Sequence, residues 1–355
     1  SKKIVFVGDH RQLAPVEKED HHDSEEDVNK ITDESEEFIS EDSIFTDALN
    51  ENVLKEHYNL RGSTYTPIEN YRQEKESVIN NIQFDLAKKI TIKEEIFESP
   101  SDWVKENFPD LIFTNKDDAY AWLKEKRDDV GWLNTRVVSG FNSSVDELNS
   151  DIRSTVEEMT GEIDESKFKS THPLMNLRNK HHVEIYNGDT FFIEETIEEN
   201  CYITNESFNC EKTRPVHMKC SQDRIESFKL NKVKVSLKRD SGSSKEALMI
   251  NELIKLEIAR RDLDDRYETN LWLDFAHRNP ELEEEKDFQW YQMLREDEVK
   301  NALIVVHAFA STVHKAQGDE FKYVLVDLDN ELFNLKWLYT AITRAVDEVR
   351  FLYTK

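Results

Sequence analysis

The sequence predicts an α/β protein whose parallel sheet is interrupted by a β-rich insertion. Two observations support this fold class. Short apolar runs rich in β-branched residues, which are typical of buried parallel strands, occur near both ends of the chain, at Ile4–Val7 and Tyr323–Leu328. After about residue 160 the pattern changes to short β-like segments separated by polar turns such as Asn187-Gly188-Asp189. That pattern is typical of a small barrel or curled sheet.

The first half of the chain alternates predicted strands and helices. Leu111–Thr114 and Val137–Phe141 are apolar runs of strand length. After the second run, Ser144 and Glu147 form an S-x-x-E pattern, which marks a helix start. Apolar residues then recur at helical spacing and predict an amphipathic helix: Val145, Leu148, Ile152 and Val156.

The second half contains the insertion and then a return of the α/β pattern. The β-like segments of the insertion are His182–Ile193, Asn200–Asn205, His217–Cys220 and Lys232–Leu237. Helices are predicted over Glu246–Arg261, Phe288–Glu296 and Leu332–Ala345. Strands of the α/β unit are predicted at Leu303–Val306, Tyr323–Leu328 and Val349–Tyr353.

The charge balance is strongly acidic. The 355 residues include 74 acidic and 47 basic side chains, a formal net charge of −27. This argues against a general polyanion binder, so any nucleic-acid contact needs a local basic groove. The segment 17–42 carries 13 acidic residues and two lysines and is predicted to be a solvated loop. No apolar run approaches the roughly 20 residues of a membrane helix, and an odd count of three cysteines favours a reducing compartment.

The segment Ser311–Phe321 carries the strongest chemical signal. It reads STVHKAQGDEF and directly precedes a predicted strand. The hydroxyl, imidazole and ammonium groups of Thr312, His314 and Lys315 can bind phosphate oxygens, and Gly318 allows the backbone to come close to a ligand. An ordinary polar loop with a structural histidine is the alternative, but the density of hydrogen-bond donors favours a binding site.

Two further segments are of the same kind. Gly8–Val16 follows a predicted buried strand, where phosphate-binding side chains lie in open α/β sheets. Tyr339–Ala345 places Arg344 near the end of a predicted helix. There an arginine either compensates the helix dipole, which contributes about 0.3–1 kcal/mol, or reaches a bound nucleotide.

Together these segments resemble superfamily 1 helicases in order and rough spacing. GDHRQLAPV at 8–16 is similar to helicase motif III, NYRQ at 70–73 to motif IV, STVHKAQGDEF at 311–321 to motif V and LYTAITRA at 338–345 to motif VI. FNSSVDELN at 141–149, YNGD at 186–189 and the β-rich insertion resemble the 5′→3′ branch that contains RecD-like and phage Dda-like DNA helicases.

The resemblance implies a domain layout. Residues 1–50 would be the end of a first RecA-like domain of the P-loop-NTPase type, including the acidic loop 17–42. Residues 51–160 and 301–355 would form the second RecA-like domain, and 161–300 an inserted SH3-like β-barrel with a helical subdomain.

The resemblance also implies a role for single residues. The expected nucleotide-binding residues are Gly8, Asp9, Gln12, Arg72, Gly318, Glu320 and Arg344. Among these, Gln12 would couple the γ-phosphate to the DNA site, Arg72 and Arg344 would be catalytic arginine fingers, and Glu320 would contact the ribose. The expected single-stranded DNA contacts are Thr312, His314, Lys315, Asn142 and Ser143.

The sequence departs from the helicase pattern in one respect. It contains no G-x-x-x-x-G-K-[ST] phosphate loop, and the Asp-Glu pair that holds Mg²⁺ in the family would precede residue 8. ATP and Mg²⁺ are therefore expected only with the complete enzyme, and this chain is interpreted as its C-terminal part, with an upstream motor domain as partner. A split enzyme, a non-catalytic helicase-like binding module and an RNA helicase of the same superfamily are the alternatives.

Two remaining expectations concern metals and surroundings. Cys201, Cys210, His217 and Cys220 lack the C-x₂₋₄-C spacing of structural zinc, so no metal site is predicted. The expected location is the cytoplasm of a bacterial or phage-infected cell, and the acidic segment is a candidate contact for replication or repair proteins.

Overall fold

The computed structural model describes residues 78–90, 100–160, 172–204, 227–238, 244–250, 260–279, 288–328 and 334–353. Several predictions lie outside these described residues: the strand Ile4–Val7, the segment 17–42, the segment His217–Cys220, and the site residues Gly8, Asp9, Gln12 and Arg72.

The elements of the described part are numbered in chain order. The strands are β1 (Ile112–Thr114), β2 (Thr135–Ser139), β3 (Leu174–Asn176), β4 (Thr190–Ile203), β5 (Lys229–Leu237), β6 (Ser244–Ile250), β7 (Val305–His307), β8 (Ala310–Thr312), β9 (Phe321–Asp327) and β10 (Ala345–Leu352). The helices are α1 (Val78–Ile90), α2 (Pro100–Asn107), α3 (Lys116–Val130), α4 (Asn142–Thr160), α5 (Arg260–Arg278), α6 (Phe288–Glu296) and α7 (Leu335–Ile342).

A five-stranded parallel sheet confirms the predicted α/β fold. Its spatial order is β1-β10-β9-β2-β8, and each pairing is parallel. Residues of α1, α2 and α7 share one apolar cluster with one face of the sheet, while residues of α3 and α4 share another cluster with the opposite face. Every residue of β2 is buried, including the polar Thr135, Arg136 and Ser139, because the strand lies inside a sheet that is covered on both faces.

Local sequence explains where the helices of this sheet begin and end. The side chain of Asn115 caps α3 by accepting a hydrogen bond from the Asp118 N–H at 3.0 Å. Asn334 caps α7 in the same way, with the Trp337 N–H at 2.8 Å. Both are typical N-cap residues. Gly131 ends α3 with a φ of 76°, a value that glycine adopts without strain.

A second sheet of five strands is antiparallel, in the order β6-β5-β4-β3-β7. The residue Leu303, just before edge strand β7, hydrogen-bonds to the other edge strand, β6. Its N–H donates to the Leu248 carbonyl at 2.7 Å, and its carbonyl accepts from the Ile250 N–H at 3.1 Å. Alternating residues of β5, such as Val233 and Val235, point into one apolar cluster with Leu303. Helix α5 packs on a separate cluster.

The structure corrects one predicted helix. Residues 246–250 of the predicted helix Glu246–Arg261 belong to strand β6. Ala247 and Met249 are buried whereas Glu246 is exposed, the two-residue alternation of a strand. The composition favours a helix, but pairing with β5 from Leu230 to Ser236 overrides this weak preference.

Two predicted strands also differ from the structure. The strand predicted at Leu303–Val306 lies at Val305–His307 and pairs with β3 in the antiparallel sheet, so the parallel sheet resumes only at β8. Within His182–Ile193, residues 181–184 form a turn, Glu184 has a φ of 53°, and the strand begins at Thr190. Helix α4 begins at Asn142, which places Ser144 inside its first turn rather than at the cap.

Candidate functional site

Three predicted site residues lie at the carboxyl edge of the parallel sheet. Thr312 ends β8 and is in register with Ser139 at the end of β2. Asn142 and Ser143 are the exposed first residues of α4, the helix that follows β2. The Ser139 hydroxyl donates to the buried Asp327 carboxylate at 2.7 Å, which links the ends of β2 and β9. The Thr312 and Ser139 side chains are buried. Asn142 and Ser143 therefore supply the exposed amide and hydroxyl groups of this edge, at the start of a helix, an arrangement that suits an anion.

The loop after β8 is fixed by its own backbone and by two apolar side chains. The Lys315 N–H donates to the Thr312 hydroxyl oxygen at 3.3 Å, and the Ala316 N–H donates to the Thr312 carbonyl at 3.0 Å. Val313 and Ala316 are buried in the core. His314 is half-buried, and burial lowers its pKa. It therefore serves near neutral pH as a neutral donor or acceptor rather than as a cation.

The other predicted residues lie at the amino edge of the same sheet. Gly318 has a φ of 89°, and an added Cβ there would meet no atom within 4 Å. Glu320 is exposed directly before β9. The Phe321 N–H donates to the Arg344 carbonyl at 2.9 Å, which ties the start of β9 to the start of β10. Gly318 and Glu320 are therefore exposed at this edge.

Arg344 is buried, with an exposed fraction of 1%, and its guanidinium holds the loop Ala316–Glu320 by hydrogen bonds. Its guanidinium donates from Nε to the Thr340 carbonyl at 3.0 Å and from Nη2 to the Thr343 hydroxyl at 2.9 Å. Nη1 donates to the carbonyls of Asp319 at 3.1 Å and Ala316 at 3.4 Å. Arg344 thus has a structural role in the loop that neither sequence interpretation of this residue included.

The comparisons with known proteins concern this part of the chain. Residues 307–352 match the UvrD-like helicase C-terminal domain. The match spans β8, the loop, β9, α7 and β10. No curated protein matches the chain.

Solved structures of Pif1 helicases are similar to the chain over most of its length. Pif1 helicase from Candida albicans is 13% identical with a TM-score of 0.38, covering 81% of this chain and 55% of that chain. Bacteroides Pif1 in complex with ADP-AlF3 and ssDNA is 13% identical with a TM-score of 0.35, covering 80% and 50%. Bacteroides Pif1 bound to ssDNA is 12% identical with a TM-score of 0.32, covering 80% and 50%. The chain thus spans about half the length of these proteins.

Two cations beside the loop between β8 and β9, called the helicase-like loop below, were not among the residues predicted from the sequence. Lys238, just after β5, donates from Nζ to the Glu320 carbonyl at 2.8 Å and lies 3.5 Å from the centroid of the Phe321 ring. Arg136 in β2 lies 4.8 Å from the same ring and donates to the Thr190 hydroxyl at 3.2 Å. Arg136 directly precedes the predicted strand Val137–Phe141, and no local pattern in the sequence marks either Arg136 or Lys238.

Asn149 in α4 is a further positioning residue. Its side chain accepts from the Ala310 N–H at 2.8 Å and donates to the Ala310 carbonyl at 3.3 Å, so it satisfies both backbone groups of a residue in edge strand β8. Asn149 lies in the segment FNSSVDELN that carries the helicase resemblance, but no sequence pattern indicates this contact.

The described ranges offer no metal centre. Within them, no group of three or more His, Cys, Asp or Glu residues lies together. Cys201 donates its thiol to the Leu230 carbonyl at 3.4 Å, and burial raises its pKa; the other members of the rejected zinc set lie outside the described residues. None of the helices in these ranges is long and apolar enough to cross a bilayer.

Proposed function

We propose that this chain is the C-terminal motor portion of an ATP-dependent superfamily 1 helicase that moves along single-stranded DNA. The observation that carries the proposal is the helicase match over 307–352 on a parallel sheet whose polar loop joins two edges. The carboxyl edge would contact the nucleic acid, and the amino edge would contact the nucleotide.

The nucleic-acid side of the proposal uses the residues around β8. Thr312, His314, Lys315, Asn142 and Ser143 would contact the sugar-phosphate backbone of the strand. Hydroxyl, amide and neutral imidazole groups position a strand without reading its bases, so binding would be largely independent of sequence. Lys315 would supply the charge that makes binding sensitive to salt.

The nucleotide side of the proposal uses residues that fit a ligand in part. The open space around the backbone of Gly318 suits a phosphate. The exposed side chain of Glu320 suits a ribose hydroxyl. Arg344 would act at the nucleotide only after exchanging some of its present backbone acceptors. ATP would supply the phosphoanhydride bond whose cleavage drives the motor, and Mg²⁺ would be held by residues of the upstream domain.

The finer assignments follow from the resemblance stated above. They comprise 5′→3′ movement within the RecD-like and Dda-like branch, an SH3-like identity for the antiparallel sheet, and the roles of Gly8, Asp9, Gln12 and Arg72. A non-catalytic binding module is the second candidate, because the sequence lacks a phosphate loop and the Arg344 guanidinium donates to backbone carbonyls.

ATP hydrolysis by the protein extended upstream to its natural start codon tests the proposal. We expect turnover that single-stranded DNA stimulates and that falls by about 10³-fold or more in Arg344→Ala. Arg127→Ala is the matched control, because the Arg127 guanidinium pairs with its chain neighbour Asp128 and lies 5.9 Å from the centroid of the Trp132 ring, not at the loop. A folded, strand-binding protein without turnover would instead identify a binding module, and stimulation by RNA alone would identify an RNA helicase.

A further inference from the structure

Lys238 connects the two sheets at the helicase-like loop. Its backbone belongs to the antiparallel sheet, since its N–H donates to the Thr190 carbonyl at 2.9 Å. Its side chain crosses to the parallel sheet, where Nζ donates to the Glu320 carbonyl and lies against the Phe321 ring. Arg136 approaches the same ring from β2. The Phe321 ring is therefore approached from both sheets, and the Glu320 carbonyl accepts from the antiparallel sheet.

The charges around Lys238 make this contact costly to form. Burial and, to a smaller extent, repulsion by Arg136 outweigh the attraction by Asp319 and Glu320 and lower the pKa of Lys238 to about 8. Burial also lowers the pKa of Arg136 to about 10. Two cations near one ring are tolerated only where the ring and nearby carbonyls compensate the lost hydration. An apolar side chain at position 238 would avoid this cost, so stability alone does not explain a lysine there.

We propose that Lys238 is a positioning residue through which the antiparallel sheet sets the conformation of the loop Ala316–Glu320. Arg344 holds this loop through the Ala316 and Asp319 carbonyls, and Lys238 holds its last carbonyl from the other sheet. Single-stranded DNA that moves the antiparallel sheet on binding would therefore also move Glu320. The consequence for nucleotide binding rests on the proposed function, whereas the mechanical link does not.

Hydrogen exchange on the 355-residue chain tests the mechanical link without any ligand. The reporting amides are those of Gln317, Asp319 and Phe321, which donate within or next to the loop at 3.2, 3.1 and 2.9 Å. In Lys238→Met, loss of the Glu320 contact should speed their exchange about tenfold. Lys238→Arg, which retains the donor and the charge, should restore slow exchange.

Lys245→Met is the matched control, because Lys245 also extends from the antiparallel sheet but contacts Glu184, its carboxylate at 3.0 Å and its carbonyl at 3.4 Å, instead of the loop. Unchanged exchange in Lys238→Met, an equal change in Lys245→Met, or no restoration in Lys238→Arg would overturn the proposal. Should Lys238→Met fail to fold, Lys238→Gln keeps a neutral donor and should show an intermediate exchange rate; exchange as slow as in the wild type would also overturn it.

The extended protein then tests the link to nucleotide. Lys238→Met should raise KM for ATP several-fold and reduce the stimulation by single-stranded DNA, with a smaller effect on kcat, and Lys238→Arg should recover both. If the wild-type protein binds no ATP, the proposed function fails while the exchange result still decides the role of Lys238. If ATP binds and its KM is the same in Lys238→Met, the loop is not set by Lys238 in the working enzyme.

Discussion

At the scale of single residues, Arg344 combines a loop anchor with a candidate nucleotide contact. Arg344→Ala leaves two loop carbonyls without their charged donor, so we expect the free energy of unfolding to fall by about 2–3 kcal/mol. Arg344→Lys keeps one donor and should lose roughly half as much. Urea denaturation of the 355-residue chain measures both. A change below about 0.5 kcal/mol in Arg344→Ala would show that the guanidinium adds nothing to the loop.

His314 and Lys315 should affect strand binding in different ways. Burial lowers the pKa of His314, so the imidazole carries no charge near neutral pH. His314→Ala should therefore weaken binding without changing its dependence on salt. Lys315→Ala should reduce the slope of log affinity against log salt by about 0.7, the value for one phosphate contact on a single strand. Fluorescence anisotropy with a labelled oligonucleotide measures both slopes. A smaller slope in His314→Ala would mean that the imidazole binds as a cation.

The sequence identified some of these residues and missed others for a physical reason. Thr312, Gly318 and Arg344 stand out because local chemistry, a dense polar loop and a helix end, distinguishes them. Arg136 and Lys238 act across 102 positions of chain through one ring, and such contacts follow from how two sheets meet. No local pattern encodes that arrangement.

At the scale of elements, α5 is attached to the rest of the insertion by the partly buried carboxylate of Glu268. Glu268 pairs with Lys180 at 3.2 Å and with Lys300, and both lysines are largely buried. Burial alone would raise the pKa of Glu268, but attraction by the two lysines outweighs it and lowers the pKa to about 2. Glu268→Gln would leave two buried cations without their carboxylate.

We expect Glu268→Gln to lower the free energy of unfolding by about 2–3 kcal/mol near neutral pH. This is less than for a fully buried ion pair, because a quarter of the Glu268 side chain is exposed. A carboxylate with a lowered pKa stabilises the fold above its unfolded pKa near 4.5 and loses this contribution as pH falls toward 2. The difference between variant and wild type should therefore shrink below about pH 5. Denaturation at several pH values measures it, with the exposed Glu298→Gln as control. A pH-independent difference would assign the effect to packing.

Elements of the parallel sheet were predictable, whereas those of the insertion were less so. The centre of β2, Val137 and Val138, and the stretch Val324–Val326 of β9 are short apolar runs, because both faces of the sheet are covered there. Strand β6 contains Ala247, Leu248 and Met249, residues that also suit helices, and its conformation depends on pairing with β5. Tertiary pairing of this kind decides short, half-buried segments.

At the scale of the whole molecule, the excess of acidic residues predicts that salt stabilises the fold but weakens the binding of single-stranded DNA. A net charge of −27 produces self-repulsion in the compact state. Between about 0.01 M and 0.15 M salt the Debye length shortens from about 30 Å to about 8 Å, so screening should stabilise the fold. The same salt should weaken strand binding, because counterions compete for the phosphates.

We therefore expect the melting temperature of the chain to rise by about 1–2 °C over this range of salt, which corresponds to roughly 1 kcal/mol for a protein of 355 residues. Deleting residues 17–42 removes 13 acidic residues and two lysines, so the variant should show a smaller rise. Differential scanning calorimetry at the two salt concentrations measures both proteins. A melting temperature that falls with salt would mean that attractive pairs such as those around Glu268 outweigh the net repulsion. An equal rise in the deletion variant would mean that the acidic segment lies too far from the folded body to repel it.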